Sequence, residues 1–454
     1  MVISGEGENM AKVSIIMPIY NVEPYLRESL DSITGQTLRD IEILCVNDGS
    51  TDHSLDIIKE YAAKDPRIVV LTGPNGGYGK AMNKGFDAAT GEYIGILEPD
   101  DYVPETMYED LYRIASENQL DLVKADFYRF RRDSESGDME MTLFRLSQKK
   151  EDYNIVFNPS REPRTLIFRM NTWSGIYRRE FLLEAGIRHH ETPGASFQDN
   201  GFHLQTFAFA QRAMIVDTPY YRNRRDNPNS SVRNTGKVNA INVEYDWIRE
   251  ILMEHPATWE RFKYDYWRQR FFNYAPTLRR IAPELRRGYL EKVRTELQEA
   301  KADGLLKKKV FPRPAWDEIQ MILNNPEEYL RFMLLADQEL DEIRLSPEYR
   351  AGFALTEPYH ALVRRIKNTK QFVAQKGHIA ERLAKDRLRR TKEAAQDLTA
   401  GPKEAVQRFI HRGEEPSAAD YCRQKGPEIL EQCKRREEDM TERVQNVMEE
   451  RVMG

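Results

Sequence analysis

The chain has 454 residues, 40% hydrophobic and 31% charged, with a formal net charge of -5. Such a length allows two or three domains with sizeable cores, and so small a net charge supplies no general field for nucleic acid. Three cysteines, Cys45 inside an apolar stretch and Cys422 and Cys433 far from it, make neither a disulfide framework nor a metal spacing, which is the pattern of a reducing compartment.

Residues 1–11 carry neither a basic start nor an apolar core and are expected to be a flexible tail. No run of 18 apolar residues follows, so a cytoplasmic location is expected. From Lys12 the pattern is a succession of βα units. VSIIMPI reads as a buried strand, Glu23 to Thr34 as a helix with Tyr25, Leu26, Leu30 and Ile33 on one face, and IEILCV as a second strand that turns sharply at Asn47, Asp48 and Gly49. RIVVL is a third strand, followed by the glycine-rich stretch Gly73 to Gly79 and a helix from Lys80 to Ala89. Pro74 and Ala81 stand where a P-loop needs glycine and a hydroxyl, so this stretch is a plain loop or a backbone passing close to a ligand. Strands and helices alternating at this spacing predict an α/β fold, a mostly parallel Rossmann-like sheet with helices on both faces.

The fourth strand, Tyr93 to Leu97, runs straight into Glu98, Pro99, Asp100 and Asp101. Ligands of open α/β sheets gather at the carboxyl ends of strands, and three carboxylates there repel one another unless a cation is present. Mg²⁺ or Mn²⁺ suits such oxygen ligands; a solvated acidic turn is the alternative. Asp48 at its own strand end can accept from a base or a ribose hydroxyl, or serve as an Asx-turn or helix cap.

Leu120 to Phe130 reads as a further strand and Arg131 to Lys150 as a polar hairpin or loop. Beyond it, Asn171 to Phe181 reads as a strand and helix start, and Asp199 as the N-cap of a helix bearing Phe202, Phe207 and Phe209. His189 and His190 are adjacent and make no chelating face, so they are expected to be polar loop residues. His203, one helical turn beyond Asp199, is a weak site candidate. Val238 to Gln298 is helical and rich in aromatics, more a core stripe than a binding box. Further helices run to about Leu345. Residues 357–400 hold 11 Lys/Arg against 5 Asp/Glu, and residues 412–454 hold 8 against 11.

KVSIIMPIYN, VNDGSTD and NGGYGKAMNKGFDAATGEYIGILEPDD, in this order and spacing, resemble the nucleotide-diphospho-sugar domain of family 2 glycosyltransferases, the GT-A fold, over about the first half of the chain. The resemblance implies an inverting transfer of a sugar from a nucleotide diphosphate, a UDP-sugar, to a hydroxyl of a glycan or lipid-linked acceptor in cell-surface polysaccharide synthesis, with Mg²⁺ or Mn²⁺. By the same resemblance Pro18, Tyr20, Asn21, Asp48, Asn83, Glu98 and Asp100 contact the nucleotide sugar, and Asp100 and Asp101 hold the metal. Asp199 is the implied catalytic base, while Trp173 and Gln198 are implied on the acceptor side. Residues from Tyr220 to Arg233 resemble a loop closing over the donor, whose basic side chains could face the diphosphate or solvent. Two positions depart from the family: Glu98 replaces its usual Asp, and Met82 stands where many members carry Arg.

The expected domains are therefore 12–235 for the GT-A catalytic part, 236–356 for a helical domain and 357–454 for a charged helical extension. The basic segment 362–392 suggests peripheral contact with an anionic membrane surface, or packing within a helical bundle that could join copies of the chain. Glu98 and Gln198 also leave open a non-catalytic nucleotide-sugar-binding or scaffolding protein. A sugar nucleotidyltransferase would want a glycine- and basic-rich phosphate signature near the first strand, which PIYN is not.

Overall fold

A computed structural model of the chain describes residues 11–132, 139–195, 197–228, 237–331 and 333. The tail 1–10, the part of the expected donor-closing loop beyond Pro228, and the charged segments from 357 onward, including 362–392, lie outside the described residues.

Eight strands form one mixed, mostly parallel sheet: β1 (Val13–Ile19), β2 (Ile41–Asn47), β3 (Ile68–Thr72), β4 (Tyr93–Ile96), β5 (Leu122–Arg132), β6 (Met139–Phe144), β7 (Gly175–Arg178) and β8 (Ala213–Arg224), in the order β3-β2-β1-β4-β7-β5-β6 with β8 paired to β5. Strands β1, β2, β3 and β4 are parallel, and β7 enters antiparallel between β4 and β5. Every residue of β1 is buried, as a continuous apolar run covered on both sides requires. Helices α1 (Glu23–Thr34), α2 (Ser54–Ala62), α3 (Tyr78–Ala88) and α4 (Met107–Glu117) connect the first strands. A side chain on Gly85 of α3 would meet Ile16, and one on Gly95 of β4 would meet Tyr108 of α4. Gly95 pairs in register with Ile15, whose side chain points away from that of its neighbour Ile16. Helices α3 and α4 therefore cover opposite faces of the sheet.

The expected hairpin after β5 is present as β5 and β6. Residues 213–224, however, form a long strand that the sequence reading left out, and Tyr220 to Arg224 belong to it rather than to a loop. Beyond α5 (Arg179–Glu184) and α6 (Gln198–Phe209), helices α7 (Ala240–Glu254), α8 (Pro256–Arg280) and α9 (Pro283–Ala302) follow. They fall in the same compact unit as the sheet, and the chain divides after Val310 rather than after residue 235. The second unit opens with α10 (Arg313–Asn324), which buries Ala315, Ile319, Ile322 and Leu323.

Cys45 is buried in β2, and desolvation pushes its thiol up to about 12, so it behaves as a small core hydrophobe.

The glycine stretch before α3 closes directly on the segment 190–194. The amide of Tyr78 donates to the Gly194 carbonyl at 3.1 Å. A Cβ on Gly79 would lie 2.0 Å from the His190 carbonyl oxygen, and one on Gly77, whose φ is +90°, would lie 2.7 Å from both the Gly194 amide nitrogen and the Thr192 carbonyl oxygen. Gly79→Ala should therefore push two backbones apart and destabilise the fold by about 3 kcal/mol. Urea unfolding of the variant beside the parent measures this directly; equal midpoints would contradict the close approach.

Candidate active site

The carboxyl end of β4 carries the acidic group into a pocket of other side chains. Glu98 accepts the Tyr78 hydroxyl at 2.8 Å, while its backbone amide donates to the Tyr221 hydroxyl at 3.0 Å. Desolvation pushes the Glu98 carboxyl up to about 8, with the charges of Asp100 and Asp199 adding to the shift although the Tyr78 bond opposes it. Asp101 is 1% exposed, and its two oxygens accept from the Arg224 amide at 2.6 Å and the Asn223 side chain at 3.0 Å. Burial, then the neighbouring Asp100, holds its carboxyl well above the usual range. One oxygen of Asp100 accepts from Asn227 at 2.8 Å, and its carbonyl accepts from Arg224 Nε at 2.7 Å.

Arg224 acts as a bolt through this end of the sheet. Its guanidinium pairs with Glu28 and Asp226 and lies 4.7 Å from the rings of both Tyr25 and Phe130. It is buried and committed, and so does not face a leaving group.

The nucleotide-side candidates separate into two groups. Asp48 clamps the glycine loop, accepting from the amides of Gly76 at 2.8 Å and Gly77 at 2.9 Å. Asn21, in a left-handed conformation with φ 49°, accepts from Thr51 at 2.8 Å and joins the ends of β1 and β2. Asn83 spends its amide on the backbone of His189 and the side chain of Glu191, each contact at 2.9 Å. Pro18 is buried in β1 while Tyr20 is 47% exposed just beyond it, an exposed ring at the carboxyl end of this interior strand. Met82 is fully buried in the core, so the position where family members carry Arg makes no polar contact here.

On the opposite wall, α6 starts without a side-chain cap. Phe197, the residue before it, has φ 70°, a strained conformation for a bulky side chain, and the Arg280 guanidinium lies 4.6 Å from its ring. Gln198 is 1% exposed and donates to Thr192 Oγ1 at 2.8 Å and the Gly194 carbonyl at 3.0 Å; it braces the loop. Asp199 accepts from the Asn200 amide at 3.0 Å, and desolvation raises its carboxyl above the ordinary value. The charge of Asp199 acts on Glu98, and both charges act on the Tyr78 hydroxyl, which places the start of α6 near the end of β4. Trp173 stacks on Tyr221, with ring centroids 4.2 Å apart, and meets Phe127 edge-on at 4.7 Å.

Glu244 of α7 was not foreseen. It is 1% exposed, accepts from the Gly201 amide at 3.1 Å, and lies 3.1 Å from His190 Nδ1. Desolvation, then Asp199, pushes its carboxyl up to about 8, while desolvation lowers His190, so burial drives both partners toward their neutral forms. The other histidines correct the polar-loop expectation. His189 and His203 are buried among aromatic rings, and desolvation lowers each to about 3.

For a divalent cation, Glu98 and Asp100 each keep one oxygen outside the hydrogen bonds described, and their repulsion is what a cation would relieve. Asp101 fits less well, because both of its oxygens are held by β8. Among the described residues no group of three or more His, Cys, Asp or Glu is arranged to hold a metal.

Acids thus gather at a strand end of the sheet, with a half-buried carboxylate at a helix start acting on one of them. Residues 14–181 match the sequence model of Glycosyl transferase family 2. It is 38% identical over 218 residues to the Bacillus subtilis protein called uncharacterized glycosyltransferase EpsJ, covering 48% of this chain and 62% of that one. It is 46% identical over 115 residues to the minor teichoic acid biosynthesis protein GgaB of the same bacterium, covering 24% of this chain and 13% of that protein. The chain thus spans less than two thirds of either relative. The crystal structure of S. aureus TarS 1-349 in complex with UDP-GlcNAc has the same fold, with a TM-score of 0.53 at 19% identity over 72% of this chain and 92% of that one. No helix of the described residues is long and apolar enough to cross a membrane.

The raised carboxyls carry a stability consequence. An acid whose folded value exceeds its unfolded value binds more protons when folded, so stability falls as pH rises from the ordinary value of 4.5 toward about 8. Glu244→Gln should flatten that fall by about 2 kcal/mol between pH 5 and pH 8. Urea titrations at the two pH values give the difference; an unchanged slope would show that Glu244 ionises normally.

Proposed function

We propose that the chain transfers a sugar, with inversion, from a UDP-sugar to a hydroxyl of a glycan or lipid-linked acceptor in the synthesis of a cell-surface polysaccharide. The observation that carries this reading is the place of Asp199 at the start of α6, close enough to the hydrogen-bonded Glu98 and Tyr78 side chains for its charge to act on both. A sugar hydroxyl is a poor nucleophile until a positioned base takes its proton, and a carboxylate raised by desolvation holds that proton more strongly than an ordinary one. In this mechanism Asp199 takes the proton as the acceptor oxygen attacks the anomeric carbon from the face opposite the diphosphate. The bond from that carbon to the diphosphate oxygen breaks, and a single displacement inverts the centre. Glu98 and Asp100 would hold Mg²⁺ or Mn²⁺, which when bound supplies positive charge for the departing diphosphate.

Support for the donor comes from TarS, a protein of like fold whose crystal form contains UDP-GlcNAc, and for the biosynthetic setting from GgaB, whose name places it in teichoic acid synthesis. Tyr20 and Trp173 offer aromatic surfaces to the nucleotide and to the acceptor respectively, with Asp48 fixing the glycine loop between donor and α6. The reaction is assigned to the cytoplasmic side.

Two substitutions test the reading with a panel of UDP-sugars. Asp199→Asn should lower turnover at least roughly a hundredfold while leaving donor affinity nearly unchanged, since a general base acts in the transition state. Asp100→Asn should remove the increase in donor affinity that Mn²⁺ brings, read by thermal shift or calorimetry. Full turnover in the first variant, or undiminished Mn²⁺ dependence in the second, rejects the corresponding role.

A further inference from the structure

Three guanidinium groups converge where β5, β6 and the end of β8 meet, and the site described above uses none of them. Arg129 lies on β5, Arg169 follows the short helical turn 163–167, and Arg225 immediately follows β8. The Arg129 and Arg169 guanidiniums lie 4.3 Å and 4.8 Å from the centroid of one ring, Phe144 of β6. The two cations are therefore within about 9 Å of each other. Arg225 joins from the far side of β5, its amide donating to the Phe130 carbonyl at 2.8 Å. None of the three makes an ion pair among the described residues, and Arg129 Nε is buried without a hydrogen-bond partner.

Other arginines of the fold are matched by carboxylates: Arg224 with Glu28 and Asp226, Arg178 with Asp121, and Arg270 of α8 with Asp246 and Glu296. Here desolvation, together with the charges of Arg225 and Arg169, lowers Arg129 to about 10. Asp100 and Asp101 act on Arg225, and Asp126 on Arg169, only through their charge. Like charges gathered with no carboxylate bonded to them are relieved further by an anion, and the planar forks of arginine match phosphate oxygens. Arg169 spends its Nε–H on the Arg145 carbonyl at 3.2 Å, which leaves its terminal N–H groups for such a ligand.

The cluster also has a defined relation to the reaction centre. Arg129 pairs in register with Asn223, whose amide holds Asp101, and Phe127, two residues earlier on the same face, pairs with Tyr221, whose hydroxyl accepts from Glu98. Phe127 touches Trp173 on one side and stacks on Phe144 on the other, at 5.5 Å. An aromatic track thus leads from the acceptor side of the site to the arginines.

We propose that Arg129, Arg169 and Arg225 form a phosphate-binding subsite for the acceptor, so that the acceptor is an anionic, phosphate-bearing molecule with its phosphate seated over Phe144. This rests on the glycosyl-transfer reading, and the same chemistry could otherwise come from the donor's own diphosphate.

The full chain, saturated with UDP, is titrated by calorimetry with a synthetic glycerol-phosphate trimer and, in parallel, with an uncharged glycerol trimer. The phosphate trimer should bind beside UDP and the uncharged one should not. Arg169→Gln, at an exposed position, and the double variant R129Q/R169Q should weaken the phosphate trimer progressively, by at least about tenfold in the double variant, with UDP affinity held. Replacing both by Lys should restore part of the affinity and shows that the fold is intact. Displacement of the trimer by UDP, or equal affinity in wild type and both Gln variants, overturns the proposal. Trimer binding that depends on the two arginines in a chain with no affinity for UDP would uphold the anion site and reject the donor reading.

Discussion

The site depends on one close approach of two backbones. The glycine stretch before α3 lies so near residues 190–194 that neither Gly77 nor Gly79 could carry a side chain. Asp48 holds that stretch from one side, through the amides of Gly76 and Gly77, and Gln198 holds the opposing loop from the other. With both clamped, Tyr78 reaches Glu98 and the start of α6 brings Asp199 close enough for its charge to act on both. A displacement of a few tenths of an ångström there would change the field that Asp199 imposes on Glu98, because in a desolvated space charge interactions are strong and steeply dependent on distance.

The second organising feature is the way β8 closes over the acidic end of β4. Asp101 and the carbonyl of Asp100 are held by Asn223 and Arg224, so a motif that reads as metal-binding also serves as the sheet's internal fastening. One aspartate is spent on structure, and Glu98 and Asp100 keep the oxygens available for chemistry. The longer arm of Glu98 fits this division, since it reaches Tyr78 at 2.8 Å while its backbone is tied to Tyr221.

The elements legible in the sequence were those whose pattern is local. The apolar runs of β1, β2 and β4, the amphipathic spacing of α1, and the acidic turn after β4 all follow from side-chain periodicity and needed no partner to be recognised. Strand β8 was missed because only AMIV at its start is apolar while its second half, TPYYRNR, is polar and carries a proline, and the burial of that half comes from pairing with β5 and from Arg224 finding Glu28, distant in the chain, and Asp226. Glu244 was hidden for a related reason. As one of four acids along α7 it reads as a solvated position, and only the fold brings it to Gly201 and His190. His189 and His203 look like loop or site residues by type, yet their neighbours in space are Phe86, Phe202 and Phe207. The departure at Met82 was readable as a missing cation, but not as a core residue.

Phe197 gives the site an unusual lever. Its left-handed backbone precedes Gln198 and Asp199, and its ring is held by Arg280 at the last turn of α8, more than eighty positions along the chain and beyond the residues matched to the family. Strain of this kind persists only while its surroundings enforce it. The backbone angle leading into Asp199 is therefore set in part by a helix far along the chain, so related chains with the same acidic motif after β4 but different helices at that place can present this carboxylate differently without altering a single residue of the motif.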